Sequence, residues 1–167
     1  MRMNQGVEWA VHACTVLATL GPERALSAAA LAEYHGVPAP YMAKQLQLLS
    51  KAGIVRTARG KTGGYTLARP AAQITLWQIA RAVDGSLPMF RCSEIRQRGP
   101  CAARREDCRK PCGIAAVFAA AEDAYRAALD AVSLEDLVVQ FVAVTSPQKL
   151  RQSAEWLASQ MTSLPTV

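Results

Sequence analysis

The stretch SAAALAEYHGVPAPYMAKQLQLLSKAGIVRTARGKTGGYTL, Ser27 to Leu67, decides the fold. Ser27 is an oxygen donor suited to cap the start of a helix, and the residues behind it predict one over Ala28 to His35, closed by Gly36. After Val37-Pro38 a second helix starts near Ala39-Pro40 and runs to about Ala52, with Gly53 as its stop. Two short helices joined by a tight, glycine-containing turn form a helix-turn-helix. At about 100° per residue, Met42, Leu46, Leu49 and Gly53 fall together as the packed side of the second helix. Pro40, Lys44, Gln47 and Lys51 take the opposite side, with Tyr41 beside them. Cations, an amide and a phenol on one exposed face are groups that reach phosphates and base edges. The runs Ile54 to Arg59 and Tyr65 to Leu67 flank a glycine-rich turn and predict a hairpin. A hairpin directly after a helix-turn-helix is a wing, and Arg59 and Lys61 stand at its tip, where a wing meets the duplex. The plain alternative is a surface hairpin with solvated charges.

Working outward toward the N-terminus, Arg2 to Leu20 predict one amphipathic helix ended by Gly21-Pro22. Val7, Ala10, Val11, Cys14, Leu17 and Ala18 make its apolar side, where Cys14 is a small core residue. Gln5, Glu8, His12, Thr15 and Thr19 recur on the other side, and Glu8 and His12 are stacked one turn apart. That pair is either a metal-ligating couple or part of a solvated polar stripe.

Toward the C-terminus, Thr75 caps a helix through Ala82, with Leu76, Ile79, Ala80 and Val83 inward, and Asp84-Gly85 opens a loop. Gly113 to about Ala131 form a long alanine-rich helix whose stripe is Ile114, Val117, Phe118, Ala121, Tyr125 and Leu129. A helix of this length in a small chain lacks enough apolar partners of its own, so it points to a homodimer; packing on the chain's own core is the alternative. Ser133-Leu134-Glu135-Asp136 resembles a capping box before an apolar helix through Val144, and Ser146-Pro147 starts a last helix. Thr162 to Val167 are expected to fray. The fold class is therefore mainly α: a winged helix-turn-helix DNA-binding domain over residues 1–85 with a two-stranded wing, a cysteine-rich loop over 86–112, and a helical dimerisation region over 113–167.

The net charge of +6 is unevenly placed along the 167 residues. Residues 1–70 carry eight basic and three acidic groups, residues 71–112 eight and four, and residues 113–167 three and six. A basic front and an acidic tail suit an N-terminal part that meets a polyanion. Nothing approaches a membrane-spanning run, and Met1 is not followed by a charged-then-apolar leader, so a cytoplasmic location with no membrane partner is expected. There is no nucleophile-base constellation, phosphate loop or cofactor fingerprint, so neither an enzyme nor a small-molecule substrate is expected.

Four of the five cysteines lie in RCSEIRQRGPCAARREDCRKPC, Arg91 to Cys112, at the spacing C-x8-C-x6-C-x3-C. Thiolates are soft ligands suited to zinc, copper(I) or an iron-sulfur cluster, and the surrounding positive charge favours the thiolate form. The pattern lacks the paired CxxC knuckles of a zinc ribbon. On residue chemistry alone the preferred ligand set is Cys92, Cys101, Cys108 and Cys112 within one subunit, with two disulfides as the bland alternative.

AGIVRTARGKTGGYTLARP (Ala52 to Pro70), ITLWQIARAVDG (Ile74 to Gly85) and the cysteine loop together resemble the Rrf-two family of bacterial winged-helix regulators, over most of the chain. Iron-sulfur members usually show three loop cysteines with five residues between neighbours, completed by a non-cysteine ligand, a pattern this loop departs from. GVEWAVH (Gly6 to His12) and FRCSEIRQRGP (Phe90 to Pro100) are similar to the redox-sensing branch of that family. That resemblance implies a two-iron two-sulfur cluster across a homodimer, ligated by Glu8 and His12 of one subunit and Cys92 and Cys112 of the other. Cys101 and Cys108 then remain as rival ligands or structural thiols. It also implies a redox-sensing regulator as the function. The winged helix predicts double-stranded DNA as the partner, and two-fold symmetry of a dimer predicts a partly palindromic operator. Trp9 lies beside Glu8, where its indole N–H could follow a change in charge as a redox relay; simple helix packing is the other account of it. A zinc-stabilised or thiol-disulfide-switched winged helix without a cluster is the competing expectation.

Overall fold

The computed structural model describes residues 4–58, 63–110 and 112–163. Helix α1 spans Gln5–Ala18 and begins where the Asn4 side chain accepts the Gly6 N–H at 2.9 Å, three residues later than the apolar pattern alone suggests. It ends at Ala18, because Thr19 turns its hydroxyl onto the Val16 carbonyl and Gly21 takes a φ of +78°. A two-residue strand, β1 (Arg24–Ala25), leads into α2 (Ala28–His35). Ser27 caps α2 through the Ala30 N–H, and Gly36 closes it in the left-handed conformation, both as the sequence predicts. Helix α3 (Ala39–Lys51) starts with Pro in its first turn.

The hairpin is β2 (Val55–Ala58) against β3 (Gly64–Leu67), antiparallel, with Val55 opposite Leu67 and Ala58 opposite Gly64. Leu26 extends this sheet by exchanging two backbone hydrogen bonds with Tyr65, at 3.1 and 2.8 Å. A Cβ on Gly64 would sit 2.7 Å from the Leu26 carbonyl oxygen, so the second glycine of the GGY run is required by close backbone approach.

Helix α4 (Leu76–Asp84) is opened by a full capping box between Thr75 and Gln78. The cysteine loop follows, and then α5 (Gly113–Asp130), α6 (Leu134–Val144) and α7 (Pro147–Gln160). Ser133 and Asp136 form the anticipated capping box of α6. The closing strand β4 (Thr162–Ser163) corrects the expectation of a fraying tail: it pairs with β1, and the Thr162 hydroxyl donates to the Ala25 carbonyl at 3.3 Å. This pairing joins residues 137 apart, so no local pattern could announce it. Leu164 to Val167, the rest of that expectation, lie outside the described residues.

One core runs through these elements. Leu17, Leu26, Leu31, Met42, Leu46, Leu49, Ile54, Ile74, Ile79 and Leu134 are its largest buried aliphatic side chains, and Leu157 of α7 joins them. Burying each such side chain contributes about 1.5–3 kcal/mol, so the helix-turn-helix is held by the same apolar mass as α6 and α7. Gly53, expected on the packed face of α3, instead lies exposed beyond the helix end at φ +67°, where glycine reverses the chain into the wing. Helix α5 contrasts with the rest: none of its 18 residues is buried.

Candidate metal centre and nucleic-acid interface

The exposed face of α3 is the one its periodicity predicts. Met42, Leu46 and Leu49 point into the core, and Tyr41, Lys44, Gln47 and Lys51 are exposed together. Gln45, which no pattern singled out, is buried, and a Cβ on Gly6 would stand 2.9 Å from its side chain. Trp9 packs edge-on against Tyr41, ring centres 5.8 Å apart. Helix α1, which carries Glu8 and His12, therefore touches the candidate reading helix at two points. Arg59 and Lys61 of the wing tip lie outside the described residues.

The cysteine loop is anchored at both ends on α5. Phe90 stacks on Phe118 with ring centres 4.5 Å apart, and the Met89 N–H donates to Glu122 at 3.1 Å. Cys112 is itself the N-cap of α5, where its sulfur accepts the Ala115 N–H at 3.3 Å. These anchors bring Cys92 and Cys112, 20 residues apart, to a sulfur-sulfur separation of 3.9 Å. Two thiolates about 2.3 Å from one tetrahedral metal lie about 3.8 Å apart, so the pair is spaced for a single metal ion.

Glu94 completes the group. Its Oε1 accepts the Cys92 thiol at 3.2 Å, and the ligand atoms of Cys92, Glu94 and Cys112 all lie within 4.8 Å of one another. Arg96 donates to both oxygens of Glu94, at 2.9 and 2.7 Å, and to the Lys110 carbonyl at 3.1 Å, tying the two halves of the loop together. The N–H of Ala115 at the head of α5, with Arg96 nearby, holds the Cys112 thiol below its ordinary range. For Cys92 the Glu94 backbone N–H acts the same way, but the Glu94 carboxylate, desolvation and Cys112 together push the thiol up. The two thiols of the pair are thus shifted in opposite directions, Cys112 down and Cys92 up. Cys101 and Cys108, half of the four-cysteine set that residue chemistry alone prefers, do not join this group, and all five cysteines are free thiols.

Glu8 and His12 are exposed on α1 and do not join Cys92 and Cys112 within the described residues of one chain. The His12 ring lies 5.6 Å from that of His35, at the edge of a cavity of about 760 Å³ lined also by Tyr34, Phe141 and Trp156. His35 is lowered to about 4, by burial and then by the charge of His12. Sequence reasoning missed Glu94, Arg96 and His35. The first two had a local signal, an acid two residues after Cys92 and a base two residues further on; His35 had none.

Among the described residues no helix is long and apolar enough to cross a membrane. Residues 3–140 match the family model Rrf2, described as an iron-dependent transcriptional regulator. The chain is 32% identical over 140 residues to the protein aau3 of Rhizobium meliloti, covering 83% of this chain and 85% of that one. Among solved structures it is similar to IscR of T. potens, with 25% identity, a TM-score of 0.63, and 90% and 96% of the two chains covered. It is also similar in fold to CymR, the global cysteine regulator of B. subtilis, with 21% identity, a TM-score of 0.63, and 84% and 98% covered.

Proposed function

The chain belongs to the Rrf2 family of DNA-binding transcriptional regulators, which are not enzymes, and from that premise we propose that it is a redox sensor built on a two-iron two-sulfur cluster. Cys92 and Cys112 of one subunit and Glu8 and His12 of the partner subunit are the ligands in this reading. The observation that carries it is the 3.9 Å separation of the two sulfurs, which suits two thiolates on one iron. A second observation agrees. Glu8 and His12 stand on an exposed face of α1, apart from the cysteines of their own chain, as ligands shared between two copies would.

When bound, such a cluster supplies a one-electron acceptor, and substituting imidazole for thiolate on one iron raises its potential. The protein's own part is to pass the change on. Helix α1 meets α3 at Gly6–Gln45 and Trp9–Tyr41, so a shift of the Glu8–His12 turn moves the face bearing Lys44, Gln47 and Lys51. The dimer places two such faces on one duplex, which calls for a partly palindromic operator, and Arg59 and Lys61 extend the contact from the wing. Residues 1–85 read DNA, 86–112 supply the thiolates, and within 113–167 the exposed apolar faces of α5 and α6 pair the subunits. The site takes no small-molecule substrate, and the regulator works in the cytoplasm.

The same separation favours a second reading. Two free thiols 3.9 Å apart, one of them prone to ionise, can close a disulfide on losing two electrons and two protons to an oxidant. Purification without oxygen separates the two. A cluster protein is red-brown, holds about two irons and two sulfides per chain, bleaches reversibly with dithionite, and changes its DNA affinity as it does. Cys92→Ser, Cys112→Ser, Glu8→Ala and His12→Ala disturb that spectrum, whereas Cys101→Ser and Cys108→Ser leave it. A protein that stays colourless after anaerobic reconstitution overturns the cluster; if its DNA affinity then depends on Cys92 and Cys112, the disulfide reading stands.

A further inference from the structure

The metal-ligand geometry within one chain is more complete than the cluster reading requires, because Glu94 belongs to it. We propose that Cys92, Glu94 and Cys112 of a single subunit form a binding site for one thiophilic divalent cation of the zinc class, with the fourth position open. The site shares two thiolates with the cluster but needs neither Glu8 nor His12 of a partner, so the two proposals stand or fall separately.

Three observations carry it. The first is distance. A tetrahedral ion about 2.3 Å from two thiolates and about 2.0 Å from a carboxylate oxygen sets edges of about 3.8 Å between sulfurs and about 3.5 Å between sulfur and oxygen. The corresponding edges here are 3.9 Å for Cys92–Cys112 and 3.2 Å for Cys92–Glu94, and all three ligand atoms lie within 4.8 Å of one another. Two of the three edges thus lie within about 0.3 Å of those of one tetrahedral site, and the third is no longer than 4.8 Å.

The second is the backbone of Glu94. At φ 49° and ψ 49° it is the sole non-glycine residue with positive φ among the described residues. A side chain held in the left-handed region costs about 1 kcal/mol or more and persists only where its surroundings demand it. Here the turn brings the carboxylate back over Cys92, two residues earlier, where an extended backbone would carry it away.

The third is the arginine behind it. Arg96 reaches both oxygens of Glu94. When Oε1 turns to a cation, Oε2 keeps its 2.7 Å bond to the guanidinium, the arrangement by which outer partners fix a ligating carboxylate. The Lys110 carbonyl holds the same guanidinium, so the brace spans both cysteine segments. Binding releases the thiol protons to solvent and leaves two thiolates and one carboxylate on the cation, a donor set of borderline softness suited to zinc. A cation so held occupies the two thiolates the cluster would need, and each excludes the other.

Cobalt(II), which reports its ligands by colour, is the probe. The reduced, cluster-free full chain carrying Cys101→Ser and Cys108→Ser is titrated anaerobically. The expected result is one cobalt per chain, a thiolate-to-cobalt band in the near ultraviolet, visible bands of tetrahedral intensity, and bleaching by zinc. Adding Glu8→Ala and His12→Ala leaves that titration unchanged. Adding Glu94→Gln instead weakens binding about tenfold or more, and at saturation keeps the thiolate band while shifting the visible bands. Unchanged affinity and unchanged visible bands in Glu94→Gln would overturn the assignment, as would loss of cobalt binding in the Glu8 and His12 variants. Failure of cluster reconstitution overturns only the redox-sensor reading and leaves these outcomes as they are.

Discussion

Cys14 and Cys112 show how far one residue type is divided by its surroundings. Cys14 is fully buried on the inner side of α1, and burial pushes its thiol up to about 12 from an ordinary 9.0. Cys112 is half-buried at a helix head that favours the thiolate. Alkylation of the reduced, metal-free protein at pH 8 should therefore modify the loop cysteines and spare Cys14 until the chain is unfolded, as peptide mapping would show. Early labelling of Cys14 would contradict its placement. The linkage has a definite sign. Between about pH 9 and 12 the unfolded chain has lost the Cys14 proton that the folded chain keeps, so this group's contribution to stability is complete below pH 9 and is lost as pH rises toward 12. The cysteine's burial was legible from its place in the apolar periodicity of the first helix. The role of Glu94 was not, because only the left-handed turn at that residue sends its carboxylate back to Cys92.

In helix α3 angular spacing alone assigned the inward Met42, Leu46 and Leu49 and the exposed Lys44, Gln47 and Lys51, but not the buried Gln45 or the exposed Gly53, because a period of about 3.6 residues fixes which side chains share a side only while the helix lasts. Its function is testable at that scale. On an operator selected from random duplexes, Lys44→Ala should weaken binding about equally across sequences and reduce the slope of affinity against salt by about one. Gln47→Ala should cost about 1–3 kcal/mol on the selected sequence and relax its base preference. Fluorescence anisotropy over a range of salt concentrations reads both, and unchanged affinity and slope in the two variants would remove α3 from the interface. The contacts behind the helix were hidden from periodicity. Gln45 faces Gly6, and Trp9 meets Tyr41, because α1 crosses close to α3.

At the scale of the molecule, the described residues leave an apolar surface uncovered. Ile114, Val117 and Phe118 of α5 are 64%, 69% and 49% exposed, and Val139, Phe141, Val142 and Val144 of α6 are exposed as well. A second copy of the chain is the occupant expected of a family that commonly forms dimers. Val117→Glu should convert the dimer to a monomer of 18.0 kDa in sedimentation velocity with the helical circular dichroism retained, since Val117 lies outside the core. DNA affinity should fall with it, as one reading head replaces two. A wild-type chain that sediments as a monomer, or a variant that stays dimeric, would refute α5 as the dimer seam.

Local chemistry sufficed for the helices, their caps, the two strands of the hairpin and the exposed basic side of α3. Each rests on residues within about four positions of one another, and capping, periodicity and turn preference act over that range. Two further features depended on the assembled molecule. The pairing of Thr162–Ser163 with Arg24–Ala25 replaced an expected loose end, and the approach of Cys92 to Cys112 set the candidate metal-ligand group apart from Cys101 and Cys108. In both cases the groups are far apart along the chain, and their distance is set by the packing of other elements: β1 by the core beneath Leu26, and the two cysteines by the docking of the loop's ends on α5. Spacing in sequence states which groups are available to a site. The tertiary structure decides which of them meet, because separation in space between distant residues is determined by packing and not by composition.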